Sequence, residues 1–296
     1  MNSKISLIIP VFNEENEVEN FFTELQNCNF DLINEVIIVN DCSTDNSFNI
    51  LEKKISESKN LLINVNFFLI NNLKNRGYGF SIKRGVESSS NDTIAIIDLD
   101  RTYKIEDLNN IANQFINDYK LQYDLIAGQR KIDTTNTSKL KIIGKTIINT
   151  IANFCFNEKI IDYNSGLRVF NKNKFTKHSH IMSNRFSLTT SMTISFLNEN
   201  YEIKFHKIKY EERSGNSKLG IKDFFKFLYT IFSLLFYYKP FKVIIPLILP
   251  IFFAFFFFLI NDIYSGNITD KTILLFNFNF FSFILLFVID RINKLK

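Results

Sequence analysis

The sequence predicts an α/β protein with a mostly parallel central sheet and helices on both of its faces. Five short segments rich in β-branched residues, at 5–11, 35–40, 61–70, 93–97 and 123–127, alternate with segments of helical pattern. Each has the length of a strand, and polar or glycine-containing turns separate it from the next. Such alternation is typical of three-layer folds, in which helices cover a parallel sheet.

The elements of the first half can be assigned in order. The first strand should break off near Pro10. The helix after it should run from Phe12 to about Asn27, with Asn13 as its N-cap. A helix is expected after each of the next three strands, the last of them over 105–119.

Beyond residue 128 the strict alternation ends. An amphipathic helix is predicted over 139–157, a turn that enters a strand over 162–170, and a helix over 186–198. Residues 203–210 alternate charged with apolar side chains, a pattern typical of a half-exposed edge strand. A polar loop over 211–220 follows.

Composition and charge argue against several classes of protein. The 296 residues carry 35 Lys and Arg against 30 Asp and Glu, a net charge of +5 with no basic stripe in the first two thirds, so we expect no nucleic-acid partner. Cys28, Cys42 and Cys155 form no Cys-x-x-Cys pair, which indicates a reducing compartment and no zinc site. The first apolar run is too short for a secretory signal, so the body of the protein is not expected to be exported.

Two apolar runs near the C-terminus predict membrane-spanning helices. Residues 243–260 form an unbroken apolar run, and the run over 273–289 is interrupted only by Asn277, Asn279 and Ser282. Each approaches the roughly 20 residues that a helix needs to cross the hydrocarbon core. Lys and Arg flank the pair on its outer sides, whereas the connecting loop is mostly acidic. The positive-inside rule then places both ends in the cytoplasm of a multi-pass inner-membrane protein.

The segment between the α/β body and the apolar runs has two interpretations. Residues 222–238 are apolar but carry charges at the start, which fits a helix in the membrane interface or a core helix of the main domain. We expect a domain over 1–220, a juxtamembrane helix over 221–240 and a two-helix hairpin over 241–296. Asn277 and Asn279 could pair between subunits of a homo-oligomer.

Asp98 and Asp100 are the residues that point most directly to chemistry. They end the fourth predicted strand, and ligands of α/β sheets bind at the carboxyl ends of strands. One or two carboxylates together with substrate phosphates are a common set of ligands for Mg²⁺. The alternative is an ordinary Asp turn or helix cap after a strand.

Loops after three predicted strands converge on the same edge. Strand one ends at residues 10–14, strand two at Asn40 and Asp41, and strand four at the two aspartates. This set suits a nucleotide, with an aromatic ring for the base, a carboxylate for base or ribose, and a metal for the diphosphate. Basic residues elsewhere that could contact phosphate are Arg76, Arg130, Arg168, Arg213 and Lys218.

Six short motifs, in order, resemble one family. They are Ile-Ile-Pro-Val-Phe-Asn-Glu-Glu (8–15), Val-Asn-Asp-Cys-Ser-Thr-Asp (39–45), Asn-Arg-Gly-Tyr-Gly (75–79), Asp-Leu-Asp (98–100), Asn-Ser-Gly-Leu-Arg-Val-Phe (164–170) and Arg-x-x-x-x-Lys (213–218). Together they resemble the family 2 glycosyltransferases, which have the GT-A fold, a Rossmann-like, mostly parallel sheet. The branch most similar includes dolichol-phosphate mannosyltransferases and bacterial polyprenyl-phosphate glycosyltransferases. The resemblance covers residues 5–220, and the two-helix tail resembles that branch too.

The resemblance implies a role for each matching position. Residues that would hold the nucleotide sugar are Pro10, Phe12, Glu14, Val39, Asp41, Asp98 and Leu99. Asp98 and Asp100 would bind Mg²⁺ or Mn²⁺, and Arg213 and Lys218 would close on the diphosphate, so these four are the expected catalytic residues. The acceptor phosphate is expected at Arg130, Lys141 and Arg168.

Five residues depart from the family's usual pattern. Phe12 stands where Tyr is frequent, Asn40 where an Asp is usual, and Cys42 in place of Gly; Arg101 replaces a small residue and Thr102 a metal-binding Gln. These departures bear on the geometry of the metal site more than on the fold.

The resemblance implies an inverting, metal-dependent transfer of a sugar from a UDP- or GDP-linked donor to a polyprenyl phosphate, undecaprenyl or dolichyl. A phosphate is already ionised and needs no general base, and residues 185–191 contain no carboxylate where hydroxyl-directed relatives place one.

Three alternatives stay open. The first is transfer to a sugar hydroxyl of a glycan or glycolipid. The second is a non-catalytic, nucleotide-binding membrane scaffold. The third is a haloacid-dehalogenase phosphatase, whose pattern residues 96–102 also fit, although three predicted strands precede them here.

Overall fold

The computed structural model describes residues 4–118, 122–130, 162–209 and 221–294, with a few single positions between 146 and 156. The chain divides into two compact units, one of Met1–Thr146 with Ile160–Phe227 and the other of Ile147–Lys159 with Leu228–Lys296. The predicted loop over 211–220 lies outside the described residues, as does the predicted helix over 139–157 apart from those single positions.

The first unit alternates strands and helices, as predicted. Its described strands are β1 (Ile5–Val11), β2 (Ile33–Asn40), β3 (Asn66–Asn71), β4 (Thr93–Ile96), β5 (Leu125–Gln129), β6 (Arg168–Asn171) and β7 (Ile203–Lys207). Its described helices are α1 (Val18–Leu25), α2 (Ser47–Leu61), α3 (Tyr78–Ser88), α4 (Ile105–Asn117), α5 (Lys172–His178) and α6 (Leu188–Asn198).

The seven strands form one sheet in the order β3-β2-β1-β4-β6-β5-β7. β6 runs antiparallel to both of its neighbours, and the other pairings are parallel, which confirms the mostly parallel sheet. The chain winds outward from β1 to β3 and then returns to place β4 on the other side of β1. The crevice beyond the carboxyl ends of β1 and β4 is therefore the topological switch point, where open α/β sheets bind ligands.

Both faces of the sheet are covered by apolar side chains. Ile5, Leu7 and Ile9 pack on one face with residues of α1, α2 and α4. Ile8, between them, packs on the other face with residues of α3 and α6. Successive side chains of a strand point to opposite faces, so β1 is buried on both sides and contributes to two cores.

Several predicted boundaries were wrong at the ends of elements. α2 continues to Leu61, so the third strand begins at Asn66 rather than at residue 61. α1 begins at Val18 rather than at Phe12. Asn13 is not its N-cap, because it has a φ of 53° and its side-chain oxygen accepts a hydrogen bond from Thr44 N at 2.8 Å.

The second unit contains α8 (Pro240–Ser265) and α9 (Asp270–Lys294). Both are long and apolar enough to cross a membrane, with an 18-residue stretch of mean hydropathy 3.0 in α8 and 2.3 in α9, and few residues of these stretches are buried. They contact each other through phenylalanine rings, among them Phe255 and Phe276, whose centroids are 5.9 Å apart. Asn279 is buried and donates to Leu275 O at 2.8 Å, whereas Asn277 is exposed.

α7 (Ile221–Tyr238) spans the boundary between the two units and has two different faces. Ile231, Leu234 and Leu235 are buried. Aromatic residues three or four positions apart are exposed on the other side: Phe225, Tyr229, Phe232 and Phe236. This segment is therefore helical, as both interpretations of the sequence require.

Candidate active site

Hydrogen bonds fix the loops after β1 and β2 to each other at the switch point. Asp41 N donates to Val11 O at 2.8 Å, and Asn13 N donates to Ser43 Oγ at 3.0 Å. Glu14 N donates to Ser47 Oγ at 2.9 Å, at the start of α2. The two loops therefore form one continuous wall of the crevice.

The side chains predicted to hold the nucleotide differ in their access to this crevice. Pro10, at the end of β1, and Phe12 and Glu14, in the loop after it, are partly exposed. Val39 and Leu99 are buried in the core, so their side chains do not reach a ligand in the crevice.

Asp41 is buried and holds a third loop in place. Its carboxylate accepts hydrogen bonds from the backbone amides of Arg76 and Gly77, at 3.0 and 2.7 Å, and from Asn72 Nδ2 at 2.8 Å. The Asn-Arg-Gly-Tyr-Gly motif thus begins as a loop whose amides converge on Asp41, and it continues into α3. This carboxylate shapes the crevice through the backbone of that loop.

The residues on either side of Asp41 explain two departures from the family pattern. Asn40 Oδ1 accepts a hydrogen bond from Ser43 Oγ at 2.6 Å, and Asn40 Nδ2 donates to Asn71 Oδ1 at 2.7 Å. An amide can make both contacts, whereas a carboxylate lacks the donor. Cys42 has a φ of 58°, the left-handed conformation that glycine adopts without steric cost.

Asp98 lies next to residues from two other segments, Tyr78 at the start of α3 and Gly166 in the turn before β6. Gly166 is so close that a Cβ added there would lie 2.3 Å from Asp98 Oδ2. The ring of Tyr78 is partly exposed but its hydroxyl is buried. Burial raises the pKa of Tyr78 well above its ordinary value, and the negative charge of Asp98 raises it further. Asp98 is itself partly exposed at this edge.

Asp100 and Arg101 contact different parts of the protein. Asp100 Oδ1 accepts hydrogen bonds from Thr102 Oγ1 at 2.7 Å and from Thr102 N at 3.2 Å. Arg101 has a φ of 60°, and its guanidinium pairs with Glu24 and Glu17 of the α1 segment. The unusual arginine therefore points toward α1, and Thr102, in place of Gln, orients the Asp100 carboxylate.

The residues at this edge fit a divalent cation that takes the rest of its ligands from a substrate. Within the described parts of the chain, no three His, Cys, Asp or Glu residues are grouped as a metal site. Two carboxylates one residue apart, Asp98 and Asp100, instead match the way Mg²⁺ is held by one or two carboxylates, substrate phosphates and water.

The expected phosphate-binding residues differ in how exposed they are. Arg130 is partly exposed and forms a bidentate pair with the buried Asp162, with Nε–Oδ2 and Nη2–Oδ1 distances of 2.7 and 2.8 Å. Arg168 is fully buried, and burial lowers its pKa to about 10, so its guanidinium stays charged at neutral pH. Its position does not support direct contact with an acceptor phosphate. Lys141, Arg213 and Lys218 lie outside the described residues.

Tyr78, Tyr103 and Gly166 were not predicted as parts of the site. Gly166 N donates to Tyr103 Oη at 2.7 Å, which joins the segment after β4 to the turn before β6. Tyr78 and Gly166 lie within two of the quoted motifs, so the sequence did draw attention to these positions. Nothing local in the sequence, however, shows that both lie next to Asp98.

This fold is the GT-A-like architecture of glycosyltransferases. The chain belongs to glycosyl transferase family 2, whose sequence pattern matches residues 6–187, and the predicted resemblance is thereby confirmed.

Two named relatives are similar along parts of the chain. A UDP-N-acetylglucosamine–dolichyl-phosphate N-acetylglucosaminyltransferase of Methanococcus voltae is 27% identical over 243 residues, which cover 76% of this chain and 94% of that protein. A dolichol-phosphate mannosyltransferase of Pyrococcus furiosus is 27% identical over 129 residues, covering 44% of this chain and 34% of that protein.

Solved structures share the fold at low sequence identity. Glucosyl-3-phosphoglycerate synthase from Mycobacterium tuberculosis, in complex with Mn²⁺, UDP and glucosyl-3-phosphoglycerate, has a TM-score of 0.60 at 13% identity, over 78% of this chain and 80% of that one. The same enzyme with Mg²⁺ and UDP has a TM-score of 0.61 at 14% identity, over 78% and 79%. This likeness supports the fold.

Proposed function

We propose that this protein transfers a sugar from a UDP- or GDP-linked donor to a polyprenyl phosphate at the cytoplasmic face of a membrane, with inversion at the anomeric carbon. The observation that carries the proposal is the Asp98 and Asp100 pair at the switch point of the sheet, between loops ordered by Asp41 and by Gly166. The two dolichyl-phosphate transferases among the relatives support the choice of acceptor.

Asp98 and Asp100 would hold Mg²⁺ or Mn²⁺, which would stabilise the charge that grows on the leaving diphosphate. Thr102 keeps Asp100 oriented through its hydroxyl and its amide. Arg213 and Lys218 are proposed to close on the same diphosphate. Phe12 and Glu14, which are partly exposed, are proposed to contact the nucleoside, with Pro10 beside them.

A phosphate acceptor fits the side chains near the start of α6, because none of them is a carboxylate that could act as a base. The residues there are Arg185, Phe186, Ser187, Leu188 and Thr189. A hydroxyl acceptor needs a base to take its proton, whereas a phosphate monoester is ionised at neutral pH. Arg130, partly exposed and oriented by Asp162, is proposed to contact the acceptor phosphate together with Lys141.

The second unit supports an acceptor that stays in a membrane. α8 and α9 would cross the bilayer with both ends in the cytoplasm, as the distribution of Lys and Arg suggests. The exposed aromatic face of α7 suits the membrane interface, where aromatic side chains are enriched. This corresponds to a catalytic domain over 1–220, a juxtamembrane helix over 221–240 and a hairpin over 241–296.

A donor and acceptor screen tests the proposal. The full chain, purified in detergent, is incubated with Mn²⁺ or Mg²⁺ and each labelled UDP- or GDP-sugar, with undecaprenyl phosphate, dolichyl phosphate or a soluble glycan. Labelled polyprenyl-phosphate sugar is expected. Label only in the glycan would favour the hydroxyl acceptor, and no product with any donor would favour a non-catalytic scaffold.

Replacement of one carboxylate at each end of β4 provides a matched test of the site. Asp100→Asn should lower kcat/KM by about 100-fold or more, because it removes one of the two carboxylates that would hold the cation acting on the leaving group. Asp92→Asn, at the opposite end of the same strand, changes an exposed aspartate and should leave kcat/KM within about twofold. Equal activities for the two variants would remove Asp100 from the mechanism.

A further inference from the structure

Arg168 is fully buried, and its guanidinium donates hydrogen bonds to three other residues of the chain. Nε donates to Ser165 O, Nη2 to Tyr163 O and Nη1 to Thr193 Oγ1, each at 2.8 Å. Two of these acceptors belong to the turn before β6, and the third belongs to α6. A planar guanidinium can bind all three at once, because its donors point in fixed, divergent directions.

The turn that Arg168 holds is the one that contacts Asp98. It continues from Tyr163 and Ser165 into Gly166, whose Cα faces the Asp98 carboxylate too closely for any side chain. Gly166 N donates to Tyr103 Oη, from the segment that follows Asp100. The position of this turn therefore sets how much room the Asp98 carboxylate has.

α6 and Arg130 hold the same turn at Asn164. Thr189 Oγ1 donates to Asn164 Oδ1 at 2.6 Å, and Arg130 Nη2 donates to Asn164 O at 3.1 Å. Asn164 N donates to Asp162 Oδ1 at 3.2 Å. The turn is thus held on several sides by buried or partly buried polar groups, and Arg168 binds two of its carbonyls.

We propose that Arg168 is a positioning residue for Asp98, which acts through the 163–166 turn and is itself anchored to α6 by Thr193. The proposal rests on the proposed function, since it concerns the carboxylate that would meet the metal and the nucleotide. It replaces the expectation that Arg168 contacts the acceptor phosphate. Loss of the Thr193 anchor should therefore weaken metal-dependent nucleotide binding, although the substituted residue lies outside the crevice.

Three single variants of α6 separate positioning from general stability. Thr193→Val removes the acceptor of Arg168 Nη1 in a side chain of the same shape, and Thr193→Ser restores a hydroxyl. Ser195→Ala is the matched control, because Ser195 is equally buried on α6 and its hydroxyl donates to Ser191 O within the same helix. Arg168→Lys keeps a positive charge but replaces the planar fork, whose three nitrogens each bind a different acceptor, with a single nitrogen.

The readout is binding of UDP and of GDP to the full chain in detergent, measured by titration calorimetry with and without Mn²⁺. Thr193→Val and Arg168→Lys should weaken the Mn²⁺-dependent binding by about tenfold or more, as loss of outer-shell support does at metal sites. Thr193→Ser and Ser195→Ala should stay within about twofold of the native chain. Thermal unfolding of each variant confirms that it is folded.

The possible results separate this inference from the proposed function. Equal binding by Thr193→Val and Ser195→Ala overturns the inference, as does an absence of Mn²⁺-dependent nucleotide binding by the native chain. If nucleotide binding responds as expected but no sugar reaches a polyprenyl phosphate, the inference holds and the proposed acceptor is wrong.

Discussion

Three residues with a positive φ surround the candidate site. Asn13, Cys42 and Arg101, at 53°, 58° and 60°, follow β1, β2 and β4 at the same edge of the sheet. This conformation costs roughly 1–2 kcal/mol for residues other than glycine, somewhat less for Asn. Such strain persists where the surroundings fix the backbone, and it is concentrated at functional sites. Here the hydrogen bonds between the loops after β1 and β2 fix the backbone around Asn13 and Cys42, and the ion pairs with Glu24 and Glu17 hold Arg101.

Substitutions at Cys42 should reveal this strain. Cys42→Gly should leave the free energy of unfolding unchanged or raise it by up to about 1 kcal/mol, because glycine adopts the left-handed conformation freely. Cys42→Val should lower it by about 1–2 kcal/mol, because a β-branched side chain is least tolerated there. Chemical denaturation of the detergent-solubilised chain measures both values.

Thr44 is the control for that comparison. It lies two residues further along the same loop, it is not one of the residues with a positive φ, and its side chain contacts Asn13. Val should be tolerated better than Gly at this position. The same preference at Cys42 would show that its backbone is not strained.

The sequence predicted the acidic residues of the candidate site but not the residues that contact them. Asp98 and Asp100 could be predicted because two carboxylates after a buried strand form a local pattern. Arg168 was assigned to phosphate because arginine commonly binds phosphate. Its burial depends on contacts with Tyr163 and Thr193, and no local pattern in the sequence specifies those contacts.

At the scale of elements, α8 and α9 are joined by a loop that Asp262 stabilises. Gly266, with a φ of 69°, ends α8. The buried Asp262 carboxylate accepts hydrogen bonds from Thr269 N at 2.7 Å, Thr269 Oγ1 at 2.9 Å and Thr272 Oγ1 at 2.6 Å. It therefore satisfies backbone and side-chain donors at the start of α9, as an N-cap residue does, although it comes from the preceding helix.

Asp262→Ala should loosen the first turn of α9. The loss of a cap of this kind costs about 1–2 kcal/mol, so amide hydrogen exchange over residues 267–275 should be roughly tenfold faster. Exchange measured by mass spectrometry in detergent checks this. Asp270→Ala removes an exposed carboxylate in the same turn and should have little effect. Equal exchange in both variants would argue against the cap.

Helix and strand boundaries were less predictable than the elements themselves. The apolar residues of 61–70 suggested one strand, but Leu61 ends α2 and only the later part forms β3. The start of α1 was misplaced because Asn13 has the composition of an N-cap. Its side chain instead binds the backbone of Thr44, a contact across two loops.

At the scale of the whole molecule, the chain combines a seven-stranded α/β unit with a unit whose two helices are long enough to span a bilayer. The proposed activity needs the α/β unit in the cytoplasm, where nucleotide sugars are made available, and an acceptor lipid in the membrane. The α8–α9 loop would then lie on the opposite side.

Labelling of single introduced cysteines tests this orientation. Asn267→Cys, in the exposed α8–α9 loop, should react with a membrane-impermeant maleimide in intact cells. Glu52→Cys, exposed on α2, should react only after permeabilisation. The native chain gives the background from its own cysteines. The reverse pattern would place the α/β unit outside and contradict the proposed membrane face.

The sequence by itself determined the alternation of strands and helices, the acidic pair and the two apolar helices, because each depends on neighbouring residues with a regular spacing. Only the tertiary structure decided that β6 runs antiparallel between β4 and β5, that Asp41 binds the 76–77 amides, and that Arg168 holds the turn against Asp98. Those features join residues far apart in the chain. Their contacts depend on how the whole sheet and its helices pack.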